Sequence, residues 1–237
     1  MDGNKGNYGV SVKVWGSLAC FTRPETKVER VSYPFPTPSA ARGILEAIYW
    51  HPEMFYEIKK IRILNPIKYL SIMTNELKSK TSFVVGRRGA EGGARYYRED
   101  DRTQRHSLLL KDVAYEITAR IVLNPHRGPD NPIGKYLDQF NRRVEKGKCY
   151  KQPYFGMRDF SCNFAPANGD RAVPVSQDFG LMLGELEYHS GVSTLADPVF
   201  IQGVVKDGVF TVPEDLYRGL KRFWRKENGE YVLAETH

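Results

Sequence analysis

The chain has 237 residues, 41% hydrophobic, 27% charged and 12% aromatic, enough for a packed core and unlike a disordered, collagen-like or coiled-coil chain. No apolar run approaches the roughly 20 residues of a membrane-spanning helix. Thirty-five Lys and Arg against 28 Asp and Glu leave a net charge of +7, which favours polyanionic partners.

Residues 1–8 are polar, without an apolar signal core, and the three cysteines (Cys20, Cys149, Cys162) show no CxxC spacing. A cytoplasmic protein without a zinc site is expected. Val10 to Phe21 alternates, with Val10, Val12, Val14, Leu18 and Cys20 on one face, which predicts a half-buried strand. An irregular stretch with Arg23, Lys27 and Arg30 leads to Thr37-Pro38, an N-cap with proline at the first helical position. Ala40, Ala41, Ile44, Leu45 and Ile48 recur at helical spacing and Pro52 stops that helix near His51, while Arg42, Glu46 and Tyr49 form a polar stripe beside the apolar face.

Strands are predicted over Glu57 to Leu64 and Ile67 to Met73, then an excursion over 74–106 whose tip, Gly86 to Gly93, is too Gly-rich and polar to pack. Lys78 to Lys111 holds nine basic residues, Arg87 and Arg88 among them, against four acids, with Tyr96 and Tyr97 interleaved. That is either a solvated charge run or a surface offering stacking faces and phosphate contacts. Leu108 to Leu123 returns to strand alternation. Asn131-Pro132 opens a second helix with Ile133, Tyr136, Leu137, Phe140 and Val144 inward and Lys135, Arg142, Arg143 and Lys146 outward, closed by Gly147. A further strand is predicted over Tyr154 to Phe164.

Strand, helix, strand, strand, helix, strand describes an α+β, ferredoxin-like (RRM-like) domain over residues 1–166, carrying a long basic hairpin or loop excursion. Residues 167–237 read as a small antiparallel β domain, with runs at Phe179 to Tyr188, Val199 to Val205 and Val209 to Val212, the last two joined by Lys206-Asp207-Gly208. Leu216, Tyr217, Leu220, Phe223 and Trp224, mixed with five basic residues, predict a basic amphipathic tail helix. No P-loop, dinucleotide, hydrolase-elbow or HExxH pattern is present, and the five histidines do not cluster in sequence. No metal or cofactor is expected.

Three runs carry a resemblance: Val14-Trp15-Gly16-Ser17-Leu18-Ala19-Cys20-Phe21-Thr22-Arg23-Pro24-Glu25, Pro38-Ser39-Ala40-Ala41-Arg42-Gly43-Ile44-Leu45-Glu46-Ala47-Ile48-Tyr49-Trp50, and Gln152-Pro153-Tyr154-Phe155-Gly156-Met157-Arg158-Asp159-Phe160. Together with Lys27 to Tyr33 they resemble the CRISPR-associated Cas-five family of the type I-C systems. The resemblance implies a RAMP-type endoribonuclease that cuts the CRISPR repeat transcript without a metal and then holds the guide RNA 5′ handle in the surveillance complex, against its backbone and large subunits. Duplex DNA is a further implied contact. It also implies catalysis by a tyrosine at the end of the first helix, matched by Tyr49, and a Lys-His pair early in the second, matched by Lys135 but with Tyr136 in the histidine position.

That chemistry uses the 2′-hydroxyl as nucleophile and leaves a 2′,3′-cyclic phosphate, so the protein must move protons and stabilise charge on the phosphorane. Tyr136 reads equally as a core residue or as a catalytic one, and a tyrosine of ordinary pKa about 10 is a donor rather than a base at neutral pH. His126 and His106 are candidate substitutes from nearby loops, or simply solvated. Lys135 reads as a phosphate contact or a charge stabiliser, and Tyr49 as catalytic or packed on the sheet. Arg23, Lys27, Arg30, Arg42, Arg87, Arg88 and Arg158 are RNA-contact candidates, although Arg42 also suits an i,i+4 pair with Glu46. Enzyme, non-cleaving guide-RNA holder and general nucleic-acid binder remain the three functional classes.

Overall fold

A computed structural model describes residues 9–26, 28–77, 102–123, 132–188, 196–218, 223–227 and 230–234. The alternation of the first strand is realised in β1 (Gly9–Ala19), where Val10, Val12 and Val14 are buried. Helix α1 (Pro38–Ile48) turns Ala41, Ile44, Leu45 and Ile48 inward. Strands β2 (Met54–Ile63), β3 (Tyr69–Leu77) and β4 (Arg102–Leu123) follow, then α2 (Ile133–Glu145) and β5 (Asn163–Pro166). The later part comprises β6 (Gln177–Tyr188), β7 (Ala196–Lys206), β8 (Val209–Thr211), a 3-10 turn at Glu214–Tyr217, β9 (Phe223–Glu227) and β10 (Glu230–Ala234).

Eight strands share one antiparallel sheet in the order β5-β1-β4-β2-β8-β7-β6, with β3 also on β4. The length of β4 explains this arrangement. Its second half lies between β1 (Val14↔Tyr115) and β2 (Met54↔Leu123), while its first half pairs with β3 from Tyr69↔Leu110 to Leu77↔Arg102. The predicted excursion therefore begins as a two-stranded arm. Its tip, with Gly86 to Gly93, Arg87, Arg88, Tyr96 and Tyr97, lies outside the described residues.

The β-like runs after residue 167 are present, and they join the same sheet: β8 pairs with β2 (Lys60↔Thr211) and β7 pairs with β8. Met182, Ile201, Val205 and Phe210 are buried in one core with β1, β2 and both helices. Three predicted elements differ. The first helix ends at Ile48 rather than near His51, because Tyr49 is already extended (φ −150°, ψ 126°).

Most of the strand predicted over Tyr154 to Phe164 is a turn closed by Phe155 N–H on the Phe160 carbonyl (2.8 Å), and only Asn163–Pro166 pairs with β1. Gly156 forces it: at φ +78° a Cβ there would lie 2.0 Å from the Cys20 carbonyl oxygen. The tail forms a hairpin of β9 and β10 instead of an amphipathic helix, since Phe223–Glu227 finds a cross-strand partner in Glu230–Ala234. No described helix is long and apolar enough to cross a membrane.

Candidate active site

Helix α1 starts where its cap dictates. Thr37 Oγ1 accepts from the Ala40 N–H (3.1 Å) and Pro38 fills the first turn. At the other end the Tyr49 N–H still reaches the Leu45 carbonyl (2.9 Å), after which the chain leaves the helix and crosses His51 and Glu53 in a turn closed by Met54 N–H on the His51 carbonyl (3.0 Å).

Helix α2 packs beside this turn. Arg143 donates to the Ile48 carbonyl at 3.1 Å and lays its guanidinium over the Tyr49 ring at 5.1 Å. Tyr56, whose ring meets Phe140 of α2 at 5.8 Å, donates its hydroxyl to the Tyr49 carbonyl at 2.8 Å. Tyr136 donates its hydroxyl to Glu53. The His51 ring lies 5.7 Å from the Tyr136 ring, and His51 Nδ1, shielded from solvent and without a hydrogen bond, faces Glu53 Oε2 at 3.5 Å. Tyr49, His51, Glu53, Tyr136 and Arg143 thus form one constellation.

Electrostatics assigns protonation states. Burial, then the hydrogen bond to Glu53 and the charge on it, push the Tyr136 phenol up to about 12. Burial also raises Tyr49, with Glu53 adding to the rise and Arg143 opposing it. Both hydroxyls keep their protons at neutral pH, so they act as donors.

A family profile described as CRISPR-associated protein (Cas_Cas5) matches residues 9–213, most of the chain. The chain belongs to the CRISPR-associated Cas5d family. It is 42% identical over 231 residues, 90% of this chain and 95% of the relative, to the CRISPR pre-crRNA endoribonuclease Cas5d of Thermus thermophilus. It is 41% identical over 225 residues, 90% of this chain and 98% of the relative, to the protein of the same name from Mannheimia succiniciproducens. A solved structure titled Crystal Structure of CRISPR-associated Protein shares the fold, with a TM-score of 0.62, 24% identity, and coverage of 86% of this chain and 91% of that one.

The other residues singled out in the sequence fall into distinct places. Lys135 is exposed on the first turn of α2, one residue from buried Tyr136, as a helical step of about 100° requires. His106 is exposed opposite Met73 on the β3–β4 arm, at the other end of β4 from Leu123, the partner of Met54. It therefore stands apart from Tyr49, whereas His126 and Lys27 lie outside the described residues.

Arg42 is held by two carboxylates. Its Nε and Nη2 hold the two oxygens of buried Glu185 on β6 (3.0 and 2.8 Å), and its Nη1 holds Glu46 (2.7 Å). All three guanidinium nitrogens bind carboxylates, which keep it charged and tie α1 to β6. Arg30 pairs with Glu76 (2.8 Å) and Arg23 stacks over Tyr33 at 5.1 Å, each still about a third exposed. Arg158 is exposed in the turn after Gly156.

The sequence reading missed His51 and Glu53. It also missed a concavity of about 400 Å³ along the C-terminal half of α1, lined by Gly43, Glu46, Ala47, Trp50, Tyr150, Lys151 and Tyr154. Trp50, Tyr150 and Tyr154 are 49, 67 and 41% exposed. Tyr150 and Lys151 N–H groups both donate to the Ala47 carbonyl at 2.9 Å, which pins this aromatic platform to the end of α1. Gly43 and Tyr154 also line the neighbouring cavity of about 440 Å³, so the two adjoin along α1. Three exposed aromatics within five residues of Tyr49 or Pro153 were the available sequence signal.

Proposed function

We propose that the chain is a metal-independent endoribonuclease that cleaves CRISPR repeat precursor RNA and keeps the guide 5′ handle within the type I-C surveillance complex, beside its backbone and large subunits, in the cytoplasm. The observation that carries this is likeness over most of the chain: two relatives at 42 and 41% identity, each aligned over 90% of this chain, bear the name pre-crRNA endoribonuclease. In this reading β1, α1, β2, β4, α2 and β5 form a ferredoxin-like catalytic and RNA-binding part within residues 1–166. Residues 167–237 form the antiparallel β part that buttresses it, and the basic arm adds contacts to RNA or duplex DNA.

The 2′-oxygen attacks the adjacent phosphorus as the bond to the 5′-oxygen breaks, giving a 2′,3′-cyclic phosphate and a 5′-hydroxyl. Tyr49, protonated and braced by Arg143, orients the reacting 2′-hydroxyl. Lys135 supplies positive charge to the phosphorane, and Tyr136 fixes Glu53 at the wall of the site. The single-stranded flank of the repeat lies along α1 with bases stacked on Trp50, Tyr150 and Tyr154.

The test is incubation of cognate repeat RNA with the protein in EDTA, with end-group analysis. Cyclic-phosphate product at one position is expected, and intact RNA overturns the reading. A second reading, a guide-RNA holder that does not cut, draws on Tyr136 standing where the resemblance implies histidine; tight repeat binding without product supports it.

A further inference from the structure

Two phenols that keep their protons and a lysine give this site donors and positive charge but no imidazole to take the 2′-hydroxyl proton. His51 fills that gap in space. It comes from the turn after α1, eighty-five residues before Tyr136, and its ring lies 5.7 Å from the Tyr136 ring. Its side chain is 43% exposed, so one edge reaches solvent, while the Nδ1 edge turns inward toward Glu53 Oε2 at 3.5 Å. Glu53 itself is steadied by the Tyr136 hydroxyl.

A carboxylate at Nδ1 holds the imidazole in the tautomer that carries its proton there and leaves the Nε2 lone pair open. The long Nδ1 contact is of the kind that tightens when substrate fills a site. Glu53 on its own turn and Tyr136 on α2 meet the ring, and Tyr49 at the end of α1 with Arg143 of α2 over it completes the charged and titratable groups of the constellation.

We propose that His51 is the general base of the cleavage reaction and that Glu53 is its positioning residue. This rests on the endoribonuclease reading above. The 2′-hydroxyl proton passes to His51 Nε2 as the 2′-oxygen–phosphorus bond forms. The phosphorus–5′-oxygen bond breaks, the 5′-oxygen takes a proton from water, and the imidazolium returns its proton to water. The role that the resemblance implies for position 136 is thus supplied from across the helix interface, and Tyr136 serves it indirectly through Glu53.

Single-turnover cleavage of cognate repeat RNA at saturating protein, from pH 5 to 9, tests the assignment. The wild-type rate is expected to rise with pH and level off, since the imidazole must be unprotonated to take the 2′-hydroxyl proton. His51→Ala is expected to lose about 10²- to 10⁴-fold in rate, the usual contribution of a general base, while binding repeat RNA within about twofold of wild type. Added imidazole restores part of that rate in proportion to its free-base form. Glu53→Gln removes a negative charge from beside the imidazole and moves the midpoint to lower pH; a purely structural loss lowers the rate without moving it.

A His51→Ala chain that cuts at the wild-type rate with the same pH profile overturns the proposal and leaves the endoribonuclease reading intact. So does a variant whose binding falls in step with cleavage, or one that imidazole fails to rescue while it melts like wild type. A wild-type chain that leaves RNA uncut overturns the parent reading, and this proposal with it.

Discussion

Arg143 holds Tyr49 from two sides: its guanidinium donates to the Ile48 carbonyl at 3.1 Å and covers the Tyr49 ring at 5.1 Å. The pair joins the end of α1 to α2, so the orientation of the candidate catalytic phenol depends on a residue ninety-four positions later. Arg143→Ala should lose about 1–2 kcal/mol of stability, the sum of a modest hydrogen bond and a cation–π contact, and a larger factor in cleavage rate than in RNA affinity. Arg143→Lys keeps the charge without the planar fork and should recover stability better than rate. Thermal unfolding beside single-turnover cleavage checks both.

Tyr136 sits at about 12 because burial and Glu53 favour its protonated form. A folded-state value above the unfolded one, about 10, makes its contribution complete below pH 10 and lost as pH rises toward 12. Urea unfolding of wild type and Tyr136→Phe from pH 7 to 11 should show a constant difference of about 1.5–3 kcal/mol, typical of a hydrogen bond to a charged group, up to pH 10. The difference should shrink above that; a gap already closing at pH 8 would refute the assignment.

Arg42 and buried Glu185 are a structural pair. Arg42→Ala leaves Glu185 without its guanidinium and should cost about 3–5 kcal/mol, the penalty for breaking a buried pair. Arg42→Leu combined with Glu185→Leu should recover much of it. Denaturant midpoints of the two variants decide between this role and a direct RNA contact.

Gly43 faces open space in mid-helix, with no atom within 4 Å of the point where a Cβ would stand. Gly43→Gln should therefore stabilise α1 by up to about 1 kcal/mol through helix propensity. Because Gly43 lines both cavities along α1, the same change should weaken repeat RNA binding. Trp50→Ala should lower affinity by the roughly 1–3 kcal/mol of one stacked base. Quantitative binding titrations against melting temperature separate the two effects, and unchanged affinity in both variants would remove the groove from the RNA path.

Arg87 and Arg88 belong to the basic run between β3 and β4. Replacing both with alanine should reduce the salt dependence of RNA affinity by about two phosphate contacts, with the cleavage rate at saturating protein unchanged. A rate loss at saturation would place them in the chemistry.

Local pattern alone was enough for β1, for the body of both helices and for the Leu108–Leu123 part of β4, because side-chain periodicity and caps such as Thr37-Pro38 act within a few residues of themselves. Tyr49 and Lys135 were singled out by the family resemblance, not by periodicity, which put Tyr49 only on a polar stripe and Lys135 only on a basic helix face. Short apolar runs were less legible: Phe223-Trp224 fits a helix or a strand, and the partner segment 230–234 decides it.

What the tertiary structure alone decided is which distant groups meet. The pairing of β8 with β2 extends one sheet across both halves of the chain. Glu185 on β6 binds Arg42 on α1. Glu53 gathers Tyr136 and His51 into one site although no motif links them. Those pairings follow from long-range packing, of β8 on β2, of α1 on β6 and of α2 against the turn after α1, where burial and Glu53 keep the Tyr136 proton in place, and no local spacing encodes that.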